Sequence, residues 1–153
     1  MQALLHELKY RGNQELGIQL GSLLGTVLKN NSRFAVDVLV PVPLYPSKEK
    51  SRGFNQATLI CQGIAAVTGL PVCTTLLRRN AERSTQTKKD RAERWENMRG
   101  IFEATPFNEV PYKNILLIDD VITTGATLEA CGQAILEAEE RKLWIASVCY
   151  SNR

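Results

Sequence analysis

"ILLIDDVITTGAT", residues 115–127, runs from unbroken hydrocarbon into two adjacent acids and then into hydroxyls and a glycine. A strand with one wet face alternates apolar and polar residues. "NILLIDD" does not, so it is expected to be buried on both faces, as the central strand of a parallel sheet covered by helices. After it, "ATLEACGQAILEAEER" places Leu128, Cys131, Ile135 and Ala138 at helical spacing and ends in Arg141 and Lys142, cations suited to a helix carboxyl end. "LWIASVCY" reads as the next strand, which completes a βαβ unit.

Upstream, the same alternation continues. Leu4, Leu5 and Leu8, then Leu16, Leu20, Leu23, Leu24, Val27 and Leu28, predict one or two amphipathic helices, with Gly17, Gly21 and Gly25 on one stripe suited to close packing against a sheet. "AVDVLVPVPL" at 35–44 reads as a strand stopped by Pro41 and Pro43. A basic loop follows, then "NQATLICQGIAAVTG" as a helix with Ala57, Ile60, Ile64 and Val67 on one face and Gly69 and Pro71 as its stop. "LPVCTTLL" and "GIFEA" read as short strands around a long polar segment. The fold class expected is therefore α/β, an open, mainly parallel sheet flanked by helices, in a single domain over residues 1–153.

Composition sets bounds on function. A chain of 153 residues with 44% hydrophobic and 23% charged residues has the balance of a soluble globular domain. Its apolar runs stop well short of the ~20 residues a bilayer span needs. "MQALLHELKYRG" mixes acid, base and histidine and lacks a cleavage site, so cytoplasmic localisation is expected. Cys61, Cys73, Cys131 and Cys149 are far apart in apolar neighbourhoods and read as buried reduced thiols rather than disulfides or zinc ligands. Excess positive charge gathers in residues 78–99, where eight Arg and Lys face four Asp and Glu, and in a shorter run with Lys48, Lys50 and Arg52. Such runs are ordinarily solvated faces unless something anionic sits beside them.

The opening stretch supplies that anion. Ligands of open α/β sheets bind where strands end, and a helix start offers free N–H groups and the positive end of a dipole to phosphate. Gly125 lets backbone approach closely, and Thr123, Thr124 and Thr127 bring hydroxyl donors. Asp119 and Asp120 would repel a phosphate, so they must face hydroxyls or a cation of the same ligand. A phosphorylated sugar with Mg²⁺ meets both demands. Taken alone, two acids and threonines at a helix start are common capping chemistry.

The whole string of hydrophobic residues, two acids, two aliphatics and Thr-Thr-Gly-x-Thr is similar to the phosphoribosyl pyrophosphate (PRPP) signature of type I phosphoribosyltransferases. "LKYRG" at 8–12, "PVPLYPSKEKSRGFNQA" at 41–57 and "LLRRNAERSTQTKKDRAERWENMRGIF" at 76–102, with Arg78, Thr85, Gln86, Arg94 and Asn97, further resemble the ComF/GntX family. Members typically carry a cysteine-rich zinc module ahead of the "LKY" segment, which this sequence lacks.

The resemblance implies a type I phosphoribosyltransferase-like fold. It also implies transfer of the phosphoribosyl group of PRPP to an unidentified nitrogen nucleophile, with pyrophosphate release and Mg²⁺ as cofactor. Asp119 and Asp120 would hold the ribose hydroxyls and help place the metal. Thr123, Thr124, Gly125, Ala126 and Thr127 would cradle the 5′-phosphate. Leu44, Tyr45 and Arg52 would meet the pyrophosphate, and Arg78 and Arg83 would belong to a mobile loop. Lys9 and Tyr10 are candidates near the acceptor. The resemblance equally admits a non-catalytic PRPP-fold protein serving bacterial competence, with single-stranded DNA or competence proteins as partners and Trp95 or Tyr45 stacking on bases; an oligomer is compatible with either reading. A phosphatase using Asp119 and Asp120 directly would need further acids.

Overall fold

The computed structural model describes residues 13–31, 33–80, 100–138 and 140–151. The expected first helix through Leu8, and the candidates Lys9, Tyr10, Arg83, Thr85, Gln86, Arg94, Trp95 and Asn97, lie outside the described residues.

The central strand is where its composition puts it. β4 (Asn114–Ile122) pairs in parallel with β1 (Val38–Pro41) on one side and with β5 (Lys142–Tyr150) on the other, giving the order β1-β4-β5. Successive side chains leave on opposite faces. Ile115 and Leu117 meet Val38, Val40, Leu128, Cys131 and Ile135, whereas Leu116 and Ile118 meet Leu39, Ile60, Cys61 and Ile64. None of the four is more than 1% exposed. At about 1.5–3 kcal/mol for each such side chain, this run anchors both halves of the core.

Helices cover both faces. α1 (Gln14–Lys29) and α3 (Gln56–Thr68) lie on one, and α4 (Ala126–Leu136) lies on the other beside an antiparallel pair, β2 (Leu77–Arg79) and β3 (Phe102–Ala104). Asn55 caps α3 by accepting the Ala57 N–H (2.9 Å), and Gly69, at φ 75°, ends it as expected.

Four expectations change. The basic run after β1 is a short helix, α2 (Pro46–Arg52): Pro46 is preorganised for a first turn, and Gly53 at φ 81° stops the helix. "LPVCTTLL" is not one strand, since only Val72 bridges to Leu39 before the chain turns into β2. α4 stops at Leu136, so Arg141 is no helix-end cation; it is buried and donates to the carbonyls of Thr105 (2.7 Å) and Val110 (3.1 Å), while Lys142 begins β5.

The fourth concerns the glycine stripe. It meets α3 rather than the sheet. A Cβ on Gly21 would run into the Ile60 carbonyl oxygen, and one on Gly63 into that of Ile18; one on Gly25 would lie 3.0 Å from Ile64 Cα. The helices thus touch backbone to backbone, and Leu24 and Leu28 of α1 reach past to the core.

Helix propensity alone would make Gly21→Ala stabilising by about 1 kcal/mol. Because the added methyl meets backbone, we expect the opposite sign, a loss of about 1–3 kcal/mol in urea unfolding. An unchanged or raised midpoint would rule out the close approach.

Candidate functional site

The acids lie inside β4, before its last two residues, with Asp119 paired to Ser147 across the ladder. The pleat continues through them. Asp119 follows the Ile115–Leu117 row toward α4, and Asp120 follows the Leu116–Ile118 row toward α3. Accordingly Asp119 is half-buried, whereas Asp120 is only 9% exposed. The Asp120 N–H donates to Asp119 Oδ1 (2.8 Å), which fixes the orientation of that carboxylate.

Beyond β4 the chain must reverse to bring α4 back over the sheet, and Gly125 does so at φ 79° as the residue before the helix. The Ala126 N–H reaches Thr124 Oγ1 (3.4 Å), a local turn that points the helix start at the strand exit. One hollow results, lined by Asp119 and by Thr123, Thr124, Gly125, Ala126 and Thr127. Every residue expected at the phosphate is therefore gathered with one of the two acids. Thr123 and Thr124 are exposed, so their hydroxyls are open to a ligand. Asp120 does not line this hollow.

The loop leaving β1 stands at the same sheet edge. The Val42 N–H extends the ladder to the Ile118 carbonyl (2.8 Å), and Asn55 Nδ2 donates to the Val42 carbonyl (3.0 Å). Asn55 of the "RGFNQ" stretch thus ties the start of α3 to this loop. Leu44 and Tyr45 are half-buried there, and Arg52 is half-buried in the last turn of α2.

One residue escaped the sequence reading. Arg78 is exposed, but its neighbour Arg79 turns inward, with its guanidinium carbon 3.6 Å from the Tyr45 ring centroid and 5.0 Å from that of Phe102, its cross-strand partner. Lys48 Nζ lies 5.7 Å from the same tyrosine ring. Alternation along β2, with Leu77 buried and Arg78 exposed, is the signal that would have found it.

Cys131 in α4 reports on this neighbourhood. Burial chiefly, and then the negative charge of Asp119, pushes its thiol up to about 12, while the Arg79 cation opposes the shift. Acid and arginine therefore act on one point of α4. All four cysteines are free; Cys61 and Cys131 are buried as expected, whereas Cys73 and Cys149 are only half-buried. Among the described residues no group of three or more His, Cys, Asp or Glu could hold a metal ion, and no helix is long and apolar enough to cross a membrane.

No family model matches the chain. It is 34% identical over 111 residues to competence protein F of Haemophilus influenzae, covering 71% of this chain and 48% of that protein. To competence protein ComFC of Bacillus subtilis it is 36% identical over 137 residues, covering 90% and 54%. To the DNA utilization protein YhgH of Salmonella typhimurium it is 28% identical over 152 residues, covering 95% and 65%. The chain spans about half the length of the two competence proteins. Among solved structures it is similar to an allosteric regulatory enzyme of purine biosynthesis (TM-score 0.56, 21% identity, 86% of this chain and 26% of that one). The glutamine PRPP amidotransferase of B. subtilis gives a TM-score of 0.55 at 20% identity, with the same coverage. These likenesses show the fold, that of the type I phosphoribosyltransferases.

The buried thiols carry a pH signature. Cys131 and Cys61 have pKa values raised by burial above the ordinary 9.0, so above that pH the unfolded chain releases protons that the folded chain keeps. Their contribution to stability is complete below about pH 9 and declines as pH rises toward 12, each thiol adding a slope of up to about 1.4 kcal/mol per unit. Urea unfolding from pH 8 to 10.5 should show a shallower decline in Cys131→Ala than in the parent; parallel curves would contradict the burial of this thiol.

Proposed function

We propose, from the premise that this chain belongs to the family of competence protein F and ComFC over the segment of them that it spans, that it is a phosphoribosyl-ligand domain serving DNA uptake or utilisation. The observation that carries the ligand is the hollow joining Asp119 to the Thr123–Thr127 turn at the start of α4. A helix start with exposed threonines suits a 5′-phosphate, and a carboxylate at its rim suits ribose hydroxyls. PRPP has both groups. The relatives' names, competence protein and DNA utilization protein, favour a role in handling DNA over a free-standing biosynthetic one.

Transfer chemistry fits the same hollow. When PRPP loses pyrophosphate, positive charge builds on the ribose ring. Asp119 would favour that charge and hold a ribose hydroxyl, and Asp120 behind it would add negative potential from the opposite face of the strand. The turn would keep the 5′-phosphate fixed while the anomeric carbon moves toward a nitrogen nucleophile.

The donor set fits Mg²⁺ only in part-share with the ligand. One carboxylate in the hollow, with no group of three ligating side chains among the described residues, suits a cation that reaches protein through one or two carboxylates and keeps substrate phosphates and water for the rest. Asp119, which lines the hollow, would hold it, whereas Asp120, expected as a second ligand, faces the other side of β4 and would add only negative potential; when bound, the cation would offset the charge of the departing pyrophosphate. In a second reading, which the DNA utilization relatives motivate, the domain is non-catalytic and binds single-stranded DNA through exposed cations such as Lys48, Lys50 and Arg78.

Calorimetric titration of PRPP, with and without Mg²⁺, separates these readings. We expect metal-dependent binding that Asp119→Asn and Asp120→Asn each weaken by about tenfold or more while the circular-dichroism spectrum is kept. Pyrophosphate release with an amine acceptor would establish transfer. Failure of the folded parent to bind PRPP, with salt-dependent DNA binding that Asp120→Asn leaves unchanged, would replace the ligand reading with the second one.

A further inference from the structure

A guanidinium has five N–H donors in one plane. Stacking uses its faces and leaves that edge, so an arginine can be oriented by aromatic rings without spending its donors. Arg79 is held in this way between Tyr45 and Phe102. Its Nε is buried and meets no hydrogen-bond acceptor among the described residues, and such a donor is costly to leave unmade. The surrounding elements explain the placement. β2 carries the side chain, its cross-strand partner in β3 supplies Phe102, and the loop leaving β1 supplies Tyr45. α4 stands on the remaining side, where Cys131 feels the Arg79 charge together with that of Asp119.

We infer that Arg79 binds the second anionic group of the ligand, the diphosphate on the anomeric carbon, while the Thr123–Thr127 turn binds the 5′-phosphate. This rests on the phosphoribosyl-ligand reading above. The two anionic groups of PRPP stand on opposite sides of the ribose; Asp119 adjoins the turn, and Tyr45, on which Arg79 stacks, stands in the β1 loop at the same sheet edge. A fixed, planar donor edge matches phosphate oxygens two at a time. Arg52 was the cation expected here and Arg78 was assigned to the mobile loop, yet neither is clamped by aromatic rings among the described residues, and Arg78 faces solvent. Tyr45 acquires a definite part as well: it positions Arg79 rather than touching the diphosphate with a side-chain charge of its own.

The test titrates the full chain, in Mg²⁺, with PRPP, inorganic pyrophosphate and ribose 5-phosphate, for the parent, Arg79→Gln and Arg79→Lys. Arg79→Gln should weaken PRPP and pyrophosphate by about ten- to a hundredfold while ribose 5-phosphate binds as in the parent. Arg79→Lys keeps a point charge without the stacked fork and should fall between. Arg79→Gln binding PRPP like the parent, or losing ribose 5-phosphate to the same degree, overturns the assignment; should the glutamine variant fail to fold, the same ratio in Arg79→Lys decides. A parent that binds none of the three sinks the phosphoribosyl reading itself, whereas a parent that binds all three beside an unaffected Arg79→Gln sinks Arg79 alone.

Discussion

Ile115, Leu116, Leu117 and Ile118 have to leave water on both sides of the sheet at once, and the remaining elements are placed by that demand. One face requires α3 with α1 beside it, and the other requires α4 with the β2–β3 pair. A parallel neighbour on each edge then follows, because each crossover must return the chain to the same end of the sheet. Both loops that leave β1 and β4 consequently open at one edge. The hydrocarbon that fixes the core therefore also decides where polar chemistry can stand.

At that edge the same pleat that buries the aliphatics separates the acids. Asp119 inherits the α4 side and the hollow, and Asp120 inherits the α3 side and deeper burial. Neighbours in sequence thus have different surroundings. Arg79 takes its position from two rings on separate elements.

Much of this was legible from residue types. β4 was readable because nothing polar interrupts it before Asp119, and the turn because glycine and threonines between a strand and a helix have few other uses. α3 announced itself through the spacing of Ala57, Ile60, Ile64 and Val67 and through Gly69 and Pro71. What could not be read depended on partners distant in sequence. The spacing of Gly17, Gly21 and Gly25 says that something comes close, but not that it is α3 with its own Gly63. Arg141 has the composition of a helix-end cation, and only the loop carrying Thr105 and Val110 shows it to be a buried tether. α2 carries charge without apolar periodicity, so proline and glycine alone mark it as helical. Arg79 was hidden by its exposed twin, since the register of β2 decides which of two adjacent arginines turns inward.

The α1–α3 seam has a mechanical consequence. Contacts between side chains can yield by changing rotamer, but where Gly21 faces the Ile60 carbonyl and Gly63 faces that of Ile18 no side chain stands between the helices to change. The two helices should respond to force as one thick rod. That rod begins at Asn55, whose amide grips Val42 where the chain leaves β1. The loop carrying Tyr45 is therefore braced from behind by a strut with little give, and the edge of the sheet has a fixed jaw against which any moving part would have to close.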